Sequence, residues 1–260
     1  MNIEAIKTRP LQPPKDDLLA AIVEALPAIE ERSVVILASK VVSIWQGRCL
    51  LKTEVASKDE LIQQEADWYL PRRSVPGVPC FHTLKNNLLV PSAGIDESNA
   101  DGYYILWPKD LRHTTKELWQ WFRAHYKVKE FGLLITDSHS VSLRRGVMGI
   151  SLSHYGFAPL KDYRGEVDLF GRVLKTTQTN VADSLAAAAV LLMGEGSECT
   201  PLAVASNVSP IRFISEPPKP TRPYSSFEIA TDEDWYHPLL ASLPWQRGGG
   251  GRQFSLIHKK

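Results

Sequence analysis

The chain has 260 residues, enough to bury one large core or two smaller ones. Its 43% apolar and 23% charged content is that of a globular protein, and a net charge of +1 offers no electrostatic case for nucleic acid or an anionic membrane. Three scattered cysteines, Cys49, Cys80 and Cys199, make neither a disulfide framework nor a zinc site and suit a reducing compartment.

The N-terminus has no apolar signal core. The longest apolar run, Leu185 to Met193, is about half of the roughly 20 residues a membrane crossing needs. A soluble, cytoplasmic protein is expected. Asp17 to Glu30 carries Leu18, Leu19, Ile22, Val23 and Leu26 at helical spacing, and Ser33 to Ser39 reads as a buried strand. Ser57-Lys-Asp-Glu60 is a capping-box pattern that opens a helix toward Tyr69. Thr114-Thr-Lys-Glu117 predicts a second such start, for a helix with Leu118, Trp121, Phe122 and His125 on one face. Phe131 to Asp137 is a further buried strand. Asn180 to Met193 is an alanine-rich helix capped by Asn180 and stopped by Gly194, and Pro201 to Ser206 is a third strand. A proline cluster from Glu216 to Tyr224 marks a hinge or exposed arm, and the end, Gly248 to Lys260, opens on four glycines and is expected to be mobile in part.

Three acidic clusters sit where apolar runs end: Asp96 with Asn99 in PSAGIDESN, Asp137 with Ser138, and Glu195 in MGEGSECT. Hard divalent cations take oxygen ligands of this kind from distant parts of a chain. The same residues also suit ordinary turns, since Gly, Asp, Ser and Asn bond their own backbone. His139, beside Asp137, is the one histidine near a candidate site. Pro159 to Arg172 is either a solvated hairpin or a strand pair in which Arg164 or Arg172 grips an anion. No GxxxxGK[S/T] occurs, and no GxGxxG follows a strand, which excludes a P-loop fold and gives no support to a dinucleotide-binding one.

Taken together, ILASKVVSIWQGR, AGIDESN, the Asp137-Ser138 strand end, PLKDYRGEVDLFGRVLKTT and NVADSLAAAAVLLMGEG resemble the coenzyme F420-0:L-glutamate ligase family over roughly Ile6 to Val208. The resemblance implies an α+β fold with mixed and antiparallel sheets and packed helices, neither P-loop nor Rossmann, and a homodimer. It implies a catalytic region over residues 1–215, followed over 216–260 by a proline-rich arm and a partly flexible tail. The implied activity is addition of L-glutamate through a γ-glutamyl linkage, driven by GTP (or ATP) with Mg²⁺ or Mn²⁺, as two ions, through an acyl phosphate.

Residue by residue, the resemblance makes Asp96, Asp137, Ser138 and Glu195 metal ligands. It assigns nucleotide contacts to Thr8, Arg9, Pro10 and Leu11, to Ser39 and Lys40, and to Asn99. The segment Met193, Gly194, Glu195, Gly196, Ser197, Glu198, Cys199 and Thr200 joins them. Lys40 and Asp137 are the expected catalytic residues, with Arg144 or Arg145 binding carboxylates of glutamate or acceptor. Two departures bear on the acceptor. Where the family continues Gly-Arg-Pro-Trp-Arg after the Asp-Ser/Thr pair, this chain runs from Ser138 to Arg145 without that motif, and Ile44 replaces a lysine. A folate-type acceptor is therefore expected first, F420-0 second, and a non-catalytic nucleotide-binding relative third.

Overall fold

The computed structural model describes residues 1–74, 77, 80–215 and 227–251. The chain divides into two compact units, Met1–Arg48 with Pro108–Pro218, and Cys49–Trp107 with Lys219–Lys260. The proline cluster and the last nine residues of the expected tail lie outside the described residues.

Strand β1 (Asn2–Ile6) leads to helix α1 (Leu18–Ala25), which Asp17 caps by accepting from the Ala20 amide. The helix stops well short of Glu30 because Pro27 holds Leu26 in an extended conformation. Strand β2 (Ser33–Ala38) runs directly into helix α2 (Ser39–Gln46). After β3 (Cys49–Leu51) comes α3 (Lys58–Glu65), where the Ser57 hydroxyl accepts from Glu60 as the capping pattern predicts. This helix ends before Tyr69, because Trp68 and Tyr69 are drawn into strand β4 (Trp68–Tyr69). Strands β5 (His82–Lys85), β6 (Leu88–Pro91) and β7 (Tyr103–Ile105) follow.

Helix α4 (Leu111–Tyr126) begins three residues before the predicted Thr114. Thr114 is no cap: its hydroxyl donates to the Lys109 carbonyl and accepts from Gln46, while Asp110 enters the helix in the left-handed region. The buried face carries Trp119 rather than Trp121; Trp119 donates to the Phe131 carbonyl at 2.8 Å, and His125 stacks on Trp121. Then come β8 (Phe131–Ser140), β9 (Val147–Tyr155), β10 (Leu160–Asp162) and β11 (Gln178–Asn180). Helix α5 (Val181–Met193) follows, with Asn180 accepting from the Asp183 amide. Strand β12 (Leu202–Ser206), helix α6 (His237–Ala241) and strand β13 (Gln246–Arg247) complete the order.

The larger unit is built on a mixed sheet of order β1-β12-β2-β8-β9, in which β2 and β8 run parallel and the other pairs antiparallel. Both sets of alternating residues in β2, Val34 and Ile36 as well as Val35 and Leu37, are fully buried, so both faces of the sheet are covered. Leu18 and Ile22 of α1, Leu118 and Phe122 of α4, and Val35, Leu37, Leu133 and Ile135 of the sheet form one core.

In the smaller unit, β13-β4-β5-β6 form an antiparallel sheet, and β3 pairs with β7. Asn86 and Asn87 both take positive φ to make the tight β5–β6 hairpin. Leu61, Ile62 and Ala66 of α3 and its C-cap pack on Phe81, Ala93, Ile95 and Leu106. Gly248 to Gly250, expected as part of a mobile tail, are docked: their amides donate to the carbonyls of Asp67, Gln63 and Ala66, each at 2.9 Å. The architecture is α+β, and among the described residues none of its sheets closes into a barrel.

Candidate active site

The carboxyl ends of the parallel strands β2 and β8 lie side by side, with Ala38 opposite Thr136. A bulge between Ile135 and Thr136 shifts the register just before Asp137, a device that re-aims a strand end. Ser39, first in α2, donates its hydroxyl to Asp137 Oδ1 at 3.0 Å. One residue on, Ser138 Oγ stands 2.7 and 2.8 Å from the two oxygens of Glu195, just beyond the C-terminus of α5. Residues 98 and 57 positions apart are thereby brought together. Every donor is an oxygen, the chemistry that fits Mg²⁺ or Mn²⁺ rather than a softer metal. Among the described residues, no three His, Cys, Asp or Glu side chains are grouped for a metal ion. Two carboxylates and two hydroxyls are what the larger unit supplies.

His139 is half-buried beside this cluster. Burial pushes its imidazole pKa down against the opposing charge of Asp183, and Nδ1 has no hydrogen-bond partner among the described residues.

The expected nucleotide loops meet each other in the same unit. The Thr8 amide donates to the Cys199 carbonyl at 3.0 Å, and Cys199 Sγ approaches the Thr8 carbonyl at 3.3 Å. Pro201 accepts from Ala38, which ties the loop to the start of α2. Within it, the Glu198 carboxylate accepts from the Gly196 amide, Thr200 bonds the carbonyl of buried Met193, and Ser197 is exposed. Lys40 is the second residue of α2, and Ala38 at its N-cap provides no side-chain cap. Arg9 does not stand alone: its guanidinium bonds both oxygens of Asp16 at 2.8 and 2.9 Å, while exposed Pro10 and half-buried Leu11 continue the loop. That guanidinium, with the Gln12 and Asp17 amides, holds the Asp16 carboxyl far below the usual carboxylate range. Nothing in the sequence singled out Asp16, since its pairing depends on the fold of the loop.

Asp96 and Asn99 belong to the smaller unit. Ala93 and Gly94 both take positive φ, and a Cβ on Gly94 would stand 2.3 Å from the Trp107 indole, so only glycine fits there. Asp96 and Ile105 exchange two backbone hydrogen bonds of 2.9 Å. One Asp96 oxygen accepts from both the amide and the hydroxyl of Ser98, at 2.8 Å each, and Asn99 follows in the left-handed region. The turn chemistry of this stretch is therefore real. Sequence reasoning passed over Glu97, which Lys52 and Lys58 both grip, lowering its pKa.

The remaining candidates are spread. Arg144 and Arg145 are exposed between β8 and β9, and Ile44 is 2% exposed. Arg164 is taken up by Asp162, with contacts from 2.6 to 3.0 Å, at the turn beyond β10.

Residues 5–207 match the model of the family described as F420-0:Gamma-glutamyl ligase. The chain belongs to this family. It is 32% identical over 239 residues to the coenzyme F420:L-glutamate ligase of Methanopyrus kandleri, covering 85% of this chain and 93% of that one. A protein of the same name from Methanococcus maripaludis is 30% identical over 214 residues, covering 77% and 85%. One from Methanothermobacter thermautotrophicus is 35% identical over 121 residues, covering 46% and 48%. As a member of the F420-0:gamma-glutamyl ligase family, the chain is an amide-forming ligase, and its α+β architecture agrees with that membership. Among the described residues, no helix is long and apolar enough to cross a membrane.

Proposed function

We propose that this protein is a nucleotide- and metal-dependent γ-glutamyl ligase that adds L-glutamate to a folate-type acceptor. The observation that carries the reaction class is the pairing of Ser39 with Asp137 and of Ser138 with Glu195 on successive residues near the carboxyl end of β8, inside the matched region. Asp137, Ser138 and Glu195 are the oxygen ligands assigned to Mg²⁺ or Mn²⁺, as two ions; Asp96 is assigned as a metal ligand by the family resemblance alone. The ions would neutralise charge on the nucleotide phosphates.

Amide formation from a carboxylate needs activation. An oxygen of the acceptor carboxylate attacks the γ-phosphorus of GTP (or ATP), and the nucleoside diphosphate leaves. The amine of glutamate then attacks the acyl-phosphate carbonyl, loses a proton and expels phosphate. Catalysis of this kind rests on positioning and charge compensation. Lys40 and the first-turn amides of α2 offer positive charge and donors to the phosphates. Thr8 to Leu11 and Met193 to Thr200 hold the nucleotide, Asn99 is assigned a nucleotide contact by the family resemblance alone, and Ser39 fixes the Asp137 carboxylate through its hydroxyl.

Two features support folate. Buried Ile44 places an apolar side chain where the family has a lysine, and the β8–β9 connection lacks the tryptophan-containing motif; the paired Arg144 and Arg145 there would suit the anionic groups of either acceptor. The second reading, F420-0, is favoured by the names of the relatives above. Retention of the oxygen ligands speaks against a non-catalytic relative. A cytoplasmic homodimer completes the proposal; Leu169 and Phe170, 98% and 90% exposed, suit a contact between two copies. The test is incubation with metal, nucleotide, glutamate and either acceptor, read by product mass. Glutamyl addition to a reduced folate supports the assignment, and addition to F420-0 alone overturns it.

A further inference from the structure

Helix α3 is gripped at both ends. At its start, Lys58 bonds the Glu97 carboxylate, which Lys52 also holds at 2.9 Å, and both ammonium groups lie over the Tyr104 ring. Along its length, Leu61, Ile62 and Ala66 pack on Ala93 and Ile95, the residues that lead into Asp96. Beyond its last turn, the glycine run closes on carbonyls that a helix end leaves unsatisfied. Gln246 and Arg247 pair with Tyr69 and Trp68, and Gly248, Gly249 and Gly250 then follow the backbone so closely that no side chain fits. An added Cβ would stand 2.0 Å from the Ala66 carbonyl oxygen at Gly248 and 2.7 Å from that of Gln64 at Gly249. At Gly250 it would stand 2.7 Å from Asp67 Oδ1. A chain tie also holds the segment further back, where Asn87 donates to the Ile229 carbonyl at 2.9 Å. The strap Gln246–Gly250 and Ile229 lie beyond residue 207, where the family match ends, whereas α3 and the Asp96–Asn99 loop lie inside it.

We propose that the strap Gln246–Gly250 positions the Asp96–Asn99 loop through α3. The strap fixes the C-terminal end of the helix, the helix core fixes Ala93 and Ile95, and Lys58 fixes Glu97, so displacement of the strap reaches the loop without touching a reacting group. Gly248 to Gly250, Lys58 and Glu97 are positioning residues. The consequence for metal and nucleotide rests on the ligand assignment above, whereas the mechanical coupling does not.

Two readouts separate these. In the full-length protein, amide exchange at Asp96 and Ile105, which bond each other, should share one opening event with Gly248 and Gly249. Gly248→Ala should speed exchange at all four by about tenfold, leaving the β2 and β8 amides protected. The same variant should raise the KM for Mg²⁺ or Mn²⁺ about tenfold with kcat at saturating metal unchanged within about twofold. Lys58→Met should give the same split, and the double variant should fall short of the product of the two effects. Faster exchange with an unchanged metal KM keeps the strap's coupling and removes Asp96 from the ligand set. Free exchange at Gly248 and Gly249 with full protection at Asp96 and Ile105, in the wild-type protein or the variant, overturns the proposal.

Discussion

Replacing Asp137 by asparagine separates a ligand from a structural strand end. The amide is nearly isosteric and keeps an oxygen that accepts from Ser39 Oγ, a bond of 3.0 Å in the wild-type protein. Asp137 sits past the buried stretch of β8 and is itself only half-buried. Folding stability should therefore change by no more than about 0.5 kcal/mol, the range for a swap that disturbs no core packing. On the proposed ligand assignment, what disappears is a full negative charge facing a hard cation. If that ligand contributes about 3 kcal/mol to charge compensation in the transition state, turnover falls roughly 100-fold. The assay is glutamate-dependent product formation, quantified by mass spectrometry, alongside a thermal melt. Turnover within about twofold of wild type, at an unchanged melting temperature, would refute a ligand role. A loss of activity matched by a loss of folded protein would assign Asp137 to the fold instead.

Arg9 depresses the Asp16 carboxyl in the folded state, so its contribution is present above the unfolded value of about 4 and is lost as pH falls below it. Asp16→Asn should then lower urea-melt stability by about 1 kcal/mol at pH 7, the pair being partly exposed, with the difference shrinking toward pH 3. Phe122→Ala, at a position with 0% exposure, should cost about 4 kcal/mol in the same melts, and a loss below about 1 kcal/mol would mean the core closes differently. If the proposed homodimer forms through Phe170, Phe170→Asp should give a monomer by light scattering where the wild-type protein gives a dimer; a monomeric wild-type protein would contradict the dimer, and a variant that stays dimeric would place the contact elsewhere.

Local chemistry made much of the fold legible. Ser57 and Asn180 cap the helices that follow, as their sequence patterns predict, because a short oxygen-bearing side chain at that position can accept from a first-turn amide. The continuous apolar runs of β2 and β8 announced strands covered on both faces. Thr114 misled for a tertiary reason: Gln46, 68 residues away, claims its hydroxyl. The glycine run misled because a flexible composition also permits close backbone approach, and only the partner helix decides between the two. In the candidate site, the residue types at the apolar run ends were readable, but the pairing of Ser39 with Asp137 and of Ser138 with Glu195 depends on sheet register and the exit from α5. Asp16 and Glu97 had no local signal, since each is defined by the cations that fold onto it.

The most direct test of the account compares reduced folate and F420-0 at equal concentration, each with purified protein, Mg²⁺ or Mn²⁺, GTP or ATP, and L-glutamate, resolving products by mass. The account predicts nucleotide- and metal-dependent gain of a glutamyl residue on the folate, with little or none on F420-0. Faster addition to F420-0 would contradict the acceptor assignment, and no addition to either would contradict γ-glutamyl ligation itself.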